Sequence, residues 1–216
     1  MIFFTSDTHF FHNRIIDYCD RPFRKMVPPG TIEIEPGIFN DEELSIPDVE
    51  SMNEHLIAQW NAKISKNDTV YHLGDFGFSP RAKTQGIKNL QNLANRLRGK
   101  IILIRGNHDT NIDSIKRFET VKDIHVIHSN NTRFVLCHYP MRSWQFMNRG
   151  SIHLFGHCHS NMPDYNMSVD IGVDNIAKIL AKRNNTEKLK EYYRPFSVEE
   201  VLEYARDNLS RNERFL

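Results

Sequence analysis

The sequence predicts an α/β fold, a layered sandwich with mixed β-sheets. Two patterns carry that expectation. Short apolar, β-favouring runs alternate with helical periods in the first half of the chain, and strand-like runs follow one another directly in the second. Each strand run also ends in a polar cluster rich in His, Asp, Asn and Gly. In open α/β sheets the C-terminal edge of the strands is where sites assemble.

The first strand is expected at 2–6, where Ile-Phe-Phe-Thr-Ser runs into Asp7. From about 20 to 50 the texture changes. Pro22, Pro28, Pro29, Pro36 and Pro47 interrupt any period and Gly30 and Gly37 add turns, so an irregular insertion is expected. It leaves the core soon after Asp7 and His9, which suggests a rim or lid. Met52, Leu56, Ile57 and Trp60 share one face of a helix at 51–64. A strand at 69–73 ends at Gly74-Asp75. Ile87, Leu90, Leu93, Ala94 and Leu97 make 84–98 helical, with Gly99 as its stop. The apolar run 101–104 is a strand that ends at Arg105-Gly106-Asn107-His108-Asp109. Strands at 133–137 and 151–155 end at His138 and Gly156, and a last one lies near 167–173. From about 175 the chain is lysine-rich and mainly helical, and Ser197 caps a final helix at 198–209.

A chain of 216 residues suits one domain, 1–216, with the insertion at about 20–50 and the helical tail as decorations. Twenty-eight Lys and Arg against 27 Asp and Glu leave a net charge of +1, so no global basic field indicates nucleic-acid binding. A local basic patch, from Arg96, Arg98, Lys100 and the tail lysines, stays open. Cys19, Cys137 and Cys158 form neither a disulfide framework nor a CxxC zinc pattern, so a reducing, cytoplasmic compartment is expected. The amino-terminal Met-Ile-Phe-Phe-Thr-Ser-Asp lacks a basic n-region, and no apolar run reaches the roughly 18 residues of a membrane span, so no signal peptide and no membrane partner are expected. Phosphate-loop and dinucleotide motifs are absent, which argues against ATP- or NAD-dependent chemistry. Nothing in the sequence sets the oligomeric state.

Histidine stands out, with 11 residues clustered beside Asp, Asn and Gly. The segments that matter are Asp7-Thr8-His9, Gly74-Asp75, Gly106-Asn107-His108-Asp109, His138 and Gly156-His157-Cys158-His159. Carboxylate, imidazole and amide oxygen together suit borderline metals such as Mn, Fe, Zn, Co or Ni, and no thiolate is required. Residues i and i+2 leaving a strand point to one side, so Asp7 with His9 and His157 with His159 approach a common centre as pairs. Glycines at 74, 106 and 156 let backbone pass close to it. Cys158 should point away from the metals as a small core residue. His55, His72, His125, His128 and His153 have no motif around them and read as structural.

In this order the motifs resemble those of the calcineurin-like metallophosphoesterase superfamily, over roughly residues 2–160. The resemblance implies a four-layer αββα sandwich with two mixed β-sheets and two divalent metal ions, Mn2+ foremost, with Fe, Zn, Ni or Co as alternatives. Carried over by position, Asp7, His9 and His159 match ligands of the first metal. Asn107, His138 and His157 match ligands of the second, and Asp75 matches the carboxylate that bridges them. His108, by the same resemblance, faces the substrate. Two cations about 3.5–4 Å apart lower the pKa of a shared water and offset charge on phosphoryl oxygens. His108 then supplies a proton or a hydrogen bond, and Asp109 either orients it or caps the segment from Thr110.

Departures narrow the class. Gly74-Asp75 continues as Phe76-Gly77-Phe78-Ser79-Pro80, unlike the Gly-Asp-x-Val-Asp-Arg-Gly run of Ser/Thr protein phosphatases. The run from Asp7 to Arg14, and Arg21-Pro22-Phe23, are similar to small bacterial and phage members. Phe11 stands where most of these carry Gly. His12 either touches substrate or is an exposed loop histidine. Arg14 either binds a phosphate oxygen or is an ordinary surface arginine. Trp144 stacks on a base or packs as a loop aromatic. The expected activity is dinuclear metal-dependent hydrolysis of phosphoesters, foremost phosphodiesters of nucleotides or short nucleic acids. A phosphomonoesterase and a catalytically lapsed metal-binding scaffold are the alternatives.

Overall fold

The computed structural model describes residues 1–78, 84–163 and 165–212, with side chains described up to 207. Ser79 and Pro80, singled out above, lie outside the described residues. The first sheet runs in the order β13 (Phe196–Ser197), β1 (Ile2–Thr5), β6 (Thr69–His72), β7 (Lys100–Ile104) and β8 (Phe118–Lys122). Its strands are parallel apart from β13. The second sheet runs β12 (Ser168–Asp170), β11 (Ile152–Phe155), β10 (Thr132–Cys137) and β9 (Ile124–Ser129), antiparallel only between β9 and β10. Both sheets are mixed, as expected.

Central parallel strands must bury both faces, and β1 shows how the sequence achieves it. Phe3 packs outward with Val70 and Leu103 against Leu56 and Trp60 of α2 (Val49–Lys63) and Leu90 and Leu93 of α3 (Thr84–Asn95). Phe4 points inward with Tyr71 and Ile104, against Phe134, Leu136, Ile152 and Leu154 of the second sheet. Burying each such side chain contributes roughly 1.5–3 kcal/mol, so alternate residues of one short run hold the sheets together and the helices on. Ile176 and Leu180 of α4 (Val173–Arg183), and Val198 and Val201 of α5 (Val198–Asn212), join the inner cluster. Mixed sheets flanked by helices are the αββα sandwich arrangement.

The helix starts follow local chemistry. Asp48 accepts from the Ser51 N–H at 3.0 Å and starts α2 two residues earlier than expected. Ser197 Oγ accepts from Glu200 N–H at 3.3 Å and Glu200 Oε2 accepts from Ser197 N–H at 2.8 Å, the capping box expected there. Helix α3 ends at Asn95, and Gly99, with φ of 86°, instead marks the entry to β7.

The insertion is not irregular. It forms two hairpins, β2 (Arg24–Val27) with β5 (Leu44–Pro47) and β3 (Glu33–Glu35) with β4 (Ile38–Phe39), after a short helix α1 (Ile15–Tyr18). Its prolines fall between strands or at the end of β5, where no ladder hydrogen bond is lost. Strands β8 and β9 were not expected, although Ile-His-Val-Ile-His-Ser alternates with period two. Strand β13 is only two residues long and offers no period.

Candidate metal centre

Strands β1, β6, β7, β10 and β11 all run out towards one edge of the sandwich, and every expected ligand lies just beyond an end: Asp7 and His9 after β1, Asp75 after β6, Asn107 after β7, His138 after β10, His157 and His159 after β11. The pairing of Asp7 with His9 and of His157 with His159 has a different cause from the strand alternation expected. These residues and Asp75 sit in the left-handed region, with φ of 57°, 48°, 68°, 47° and 53° in the order Asp7, His9, His157, His159, Asp75. Each such non-glycine residue costs on the order of 1–3 kcal/mol, which the surroundings must offset. Backbone bonds do so: Asp7 N–H to Gly74 O, His9 N–H to Asp75 O and Phe10 N–H to Phe76 O are each 3.0 Å. A Cβ on Gly106 would collide with Asp75, and one on Gly156 with Ser6 and Asp7, so both loops depend on glycine for their approach.

The donors gather as two groups. Asp7, His9 and His159 place ligand atoms within 4.8 Å of one another, and so do Asp75, His138 and His157. Asn107 Oδ1 lies 3.0 Å from both His138 Nε2 and His157 Nδ1, which completes the second group. Asp75 Oδ2 stands between the groups, 3.5 Å from His9 Nε2 and 3.6 Å from His138 Nε2. A carboxylate so placed could bridge ions held by the two groups.

The residues fit a pair of cations on their own chemistry. Among the described residues, both ring nitrogens of buried His9 lack a hydrogen-bond partner. His138 donates Nδ1–H to Leu73 O at 2.7 Å, so its Nε2 turns a lone pair toward Asn107 Oδ1, and three acceptors converge with no proton among them. Burial pushes the Asp7 carboxyl well above its usual range and holds the His9 imidazolium well below. A carboxylate and an imidazole buried in this way call for a cation. For His159, burial opposes the charged form, but hydrogen bonds to Asp174 and Cys19 and the charge of Asp7 outweigh it and push the ring up to about 11. Its Nδ1–H is held by Asp174 Oδ2 at 2.8 Å, so the proton a cation would displace is on Nε2.

The other expected site residues divide. His108 is exposed beside the centre, its ring 5.3 Å from that of His9, and its backbone N–H donates to Asp75 Oδ1 at 2.8 Å. His12 closes the same cluster, 5.4 Å from His9 and 6.2 Å from His108 between ring centres, and lines the cavity with them. Asp109 neither orients His108 nor caps a helix. Its Oδ2 accepts from Asp75 N–H at 2.9 Å and Gly106 N–H at 2.8 Å, its Oδ1 from Phe76 N–H at 2.9 Å. It ties the loops after β6 and β7 together, because three buried amides there need acceptors. Burial pushes this carboxyl up to about 6 against those donors. Arg14 is exposed with its guanidinium over Tyr18, 5.4 Å from the ring centre, and does not line the cavity among the described residues. Trp144 is packed, its Nε1–H on Ser151 O at 3.1 Å. Cys158 points away from the metals toward Met162, at 3.7 Å, but is half-buried rather than core. None of residues 24–47 lines the cavity.

Sequence reasoning missed the supports beneath the ligands. Arg21 is buried, pairs with Asp174, and donates to the carbonyls of Asp7 at 2.7 Å and Thr8 at 3.0 Å. Arg21-Pro22-Phe23 was noticed only as a likeness; a buried arginine has no sequence signature. His72 reads as structural and is so, in a particular way: its Nε2–H bonds Thr8 Oγ1 at 2.9 Å, between the two ligands of the first loop.

The chain belongs to the calcineurin-like phosphoesterase family, which matches residues 1–190. An uncharacterized protein of Methanocaldococcus jannaschii is 34% identical over 163 residues, covering 76% of this chain and 72% of that protein. A protein of unknown function from Aquifex aeolicus has the same fold, with a TM-score of 0.59 at 22% identity, over 94% of this chain and 98% of that one. An archaeal phosphodiesterase is more distant, with a TM-score of 0.42 at 17% identity, covering 84% of this chain and 87% of that one. The family typically binds two metals, and His and Asp groups that could hold such ions are present here.

Proposed function

We propose that the chain, acting as one domain, is a dinuclear metal-dependent phosphodiesterase for nucleotides or short nucleic acids, with manganese as its working metal. The observation that carries the diester reading is the charge of the cavity wall. The cavity, about 320 Å³, is lined by His12, Tyr18, His108 and Asn161 beside the ligands, with no lysine or arginine among the described residues. A terminal phosphate carries about −1.5 to −2 charges at neutral pH and calls for cationic side chains beyond the metals. An internal diester carries a single charge and does not.

When bound, the two cations supply Lewis acidity, which acidifies water and offsets charge on phosphoryl oxygens. The chain does the rest. Asp75 holds the two halves of the centre in register, and Asn107 presents its amide oxygen to the second. His108, exposed at the mouth, gives a proton to the leaving oxygen or a hydrogen bond to the equatorial ones. His12 accepts the Ile15 N–H on Nδ1 at 3.0 Å, which leaves Nε2–H free to meet the substrate. The free thiols Cys19, Cys137 and Cys158 support a reducing compartment such as the cytoplasm.

Hydrolysis of an aromatic phosphodiester, compared with the matching monoester after metal stripping and reloading with Mn, Ni, Co or Zn, tests the reading. The diester is expected to win in kcat/KM by about tenfold or more, best with Mn. A monoester preference overturns the diester assignment, and no turnover of either with any metal supports a scaffold instead.

A further inference from the structure

Resting on the nucleotide reading above, we infer that a second, apolar cavity beside the metal centre seats the nucleobase of the substrate. The cavity has a volume of about 410 Å³, within the range of small-molecule pockets, and its lining is mainly apolar, with Arg142, Tyr165 and Ser168 as the residues that carry polar groups. Phe155, buried, helps line it, with Met141 and Met162 and with half-exposed Tyr165 and Arg142.

Its position ties it to the chemistry. Both of its walls spring from metal-ligand loops. Pro140 comes two residues after His138, at most about 7–8 Å along the chain, and Met162 comes three after His159. Asn161 lines the metal cavity and Met162 the apolar one, so the same segment walls both. The contact of Cys158 Sγ with Met162 Sδ fixes Met162 to the loop that carries His157 and His159. In the proposed complex a phosphoester at the metals directs one substituent over the shared 159–162 segment into the apolar cavity.

Its chemistry selects what that substituent is. Thioethers and rings favour the face or edge of a flat aromatic system. Arg142 is exposed on the lining and offers a guanidinium to stack on a base or meet a second phosphate. The walls are also preformed. Buried His153 donates Nδ1–H to Val135 O at 2.9 Å and accepts the Met141 N–H on Nε2 at 3.1 Å, which fixes that wall. Ser168 Oγ accepts from Tyr165 N–H at 3.2 Å and donates to Tyr165 O at 2.7 Å, which fixes the opposite lip. A rigid apolar slot costs little to fill, and a ribose alone has no flat surface with which to fill it.

The test is a titration of the manganese- or zinc-loaded protein with adenosine 5′-monophosphate and, separately, ribose 5-phosphate, read by calorimetry and by the ¹³C-methyl resonances of the methionines. The nucleotide is expected to bind about tenfold tighter and to shift Met141 and Met162, whereas ribose 5-phosphate shifts neither. Met162→Glu and Tyr165→Ala, both at exposed positions, should each weaken nucleotide binding about five- to tenfold, the order of one lost base stack, and leave ribose 5-phosphate binding unchanged. Equal affinity for the two probes, or tight nucleotide binding with Met141 and Met162 unmoved, overturns the inference while leaving a phosphodiesterase intact. If neither probe binds a protein that still hydrolyses an aromatic diester, the inference falls, and the diester reading stands with terminal phosphates excluded from the site.

Discussion

Arg21 grips Asp174 with two parallel hydrogen bonds, Nε to Oδ1 and Nη2 to Oδ2, each 2.9 Å, and both side chains are buried. The pair does two things at once. Arg21 also holds the Asp7 carbonyl, and Asp174 also holds His159 Nδ1, so one ion pair positions two proposed ligands of the first metal from below. Burial disfavours the Asp174 carboxylate, but the charge of Arg21 and its bond to His159 win, holding it down at about 2.

Asp174→Asn should therefore weaken the first metal site by about 10–100-fold and the second far less, as measured by metal titration with elemental analysis. Arg21→Met should do the same and also lower stability by roughly 3–5 kcal/mol, because it leaves Asp174 buried and unpaired. Equal weakening at both sites would show that the pair supports the fold alone.

Asp75 Oδ2 lies within 3.6 Å of a histidine nitrogen from each donor group, which is why we propose it as the bridge. Asp75→Ala should lose metal at both positions and activity with it, and His9→Ala should mainly weaken the first. Two metals retained in Asp75→Ala would refute the bridging assignment.

His108 holds Asp75 through its backbone N–H, so its ring can be removed without cutting that bond. His108→Ala should keep two metals and its fold and lower kcat by about 10²–10⁴-fold. The deficit should shrink for esters whose leaving group is very acidic, since such a group departs without a proton. If the deficit is constant across leaving groups, His108 steadies the equatorial oxygens. Loss of one metal would overturn both roles.

Buried His72 gives a pH dependence that needs no substrate. Burial, and the nearby His138, hold its pKa at about 3, against 6.5 in the unfolded chain. Between those values the unfolded state binds a proton that the folded state refuses, so stability falls as pH drops from about 6.5 towards 3. From pH 7 to pH 5 this single group costs about 2 kcal/mol. His72→Gln should flatten the denaturant midpoint over that interval; an unchanged slope would assign the acid sensitivity to other groups.

What could be read from the residues was what is local. The runs before Asp7, Asp75, Asn107, His138 and His157 are apolar and short, so the chain itself declares strands, their ends and the donors that follow. The residue types at those ends pointed to a His, Asp and Asn cluster, and the family resemblance, not spacing, divided them into two proposed ligand groups with His108 beside them. The insertion was misread because prolines between strands look the same in sequence as prolines that prevent strands. Strands β8 and β9 escaped because edge strands with one solvated face carry little apolar density.

The tertiary structure decided everything that joins distant parts of the chain. Arg21 and Asp174 are 153 positions apart, and no periodicity relates them. Asp109 sits next to His108 in sequence, yet three backbone amides claim its carboxylate, because buried N–H groups must find acceptors and these loops offer few. The left-handed turns at Asp7, His9 and His157 are of the same kind: each is costly alone and is held by a bond from its backbone N–H to a neighbouring loop, Gly74 O, Asp75 O and the Asp7 carboxylate in turn. Sequence specifies which atoms are available at each strand end, whereas the distances that make them a metal centre are set by the loops packing against one another.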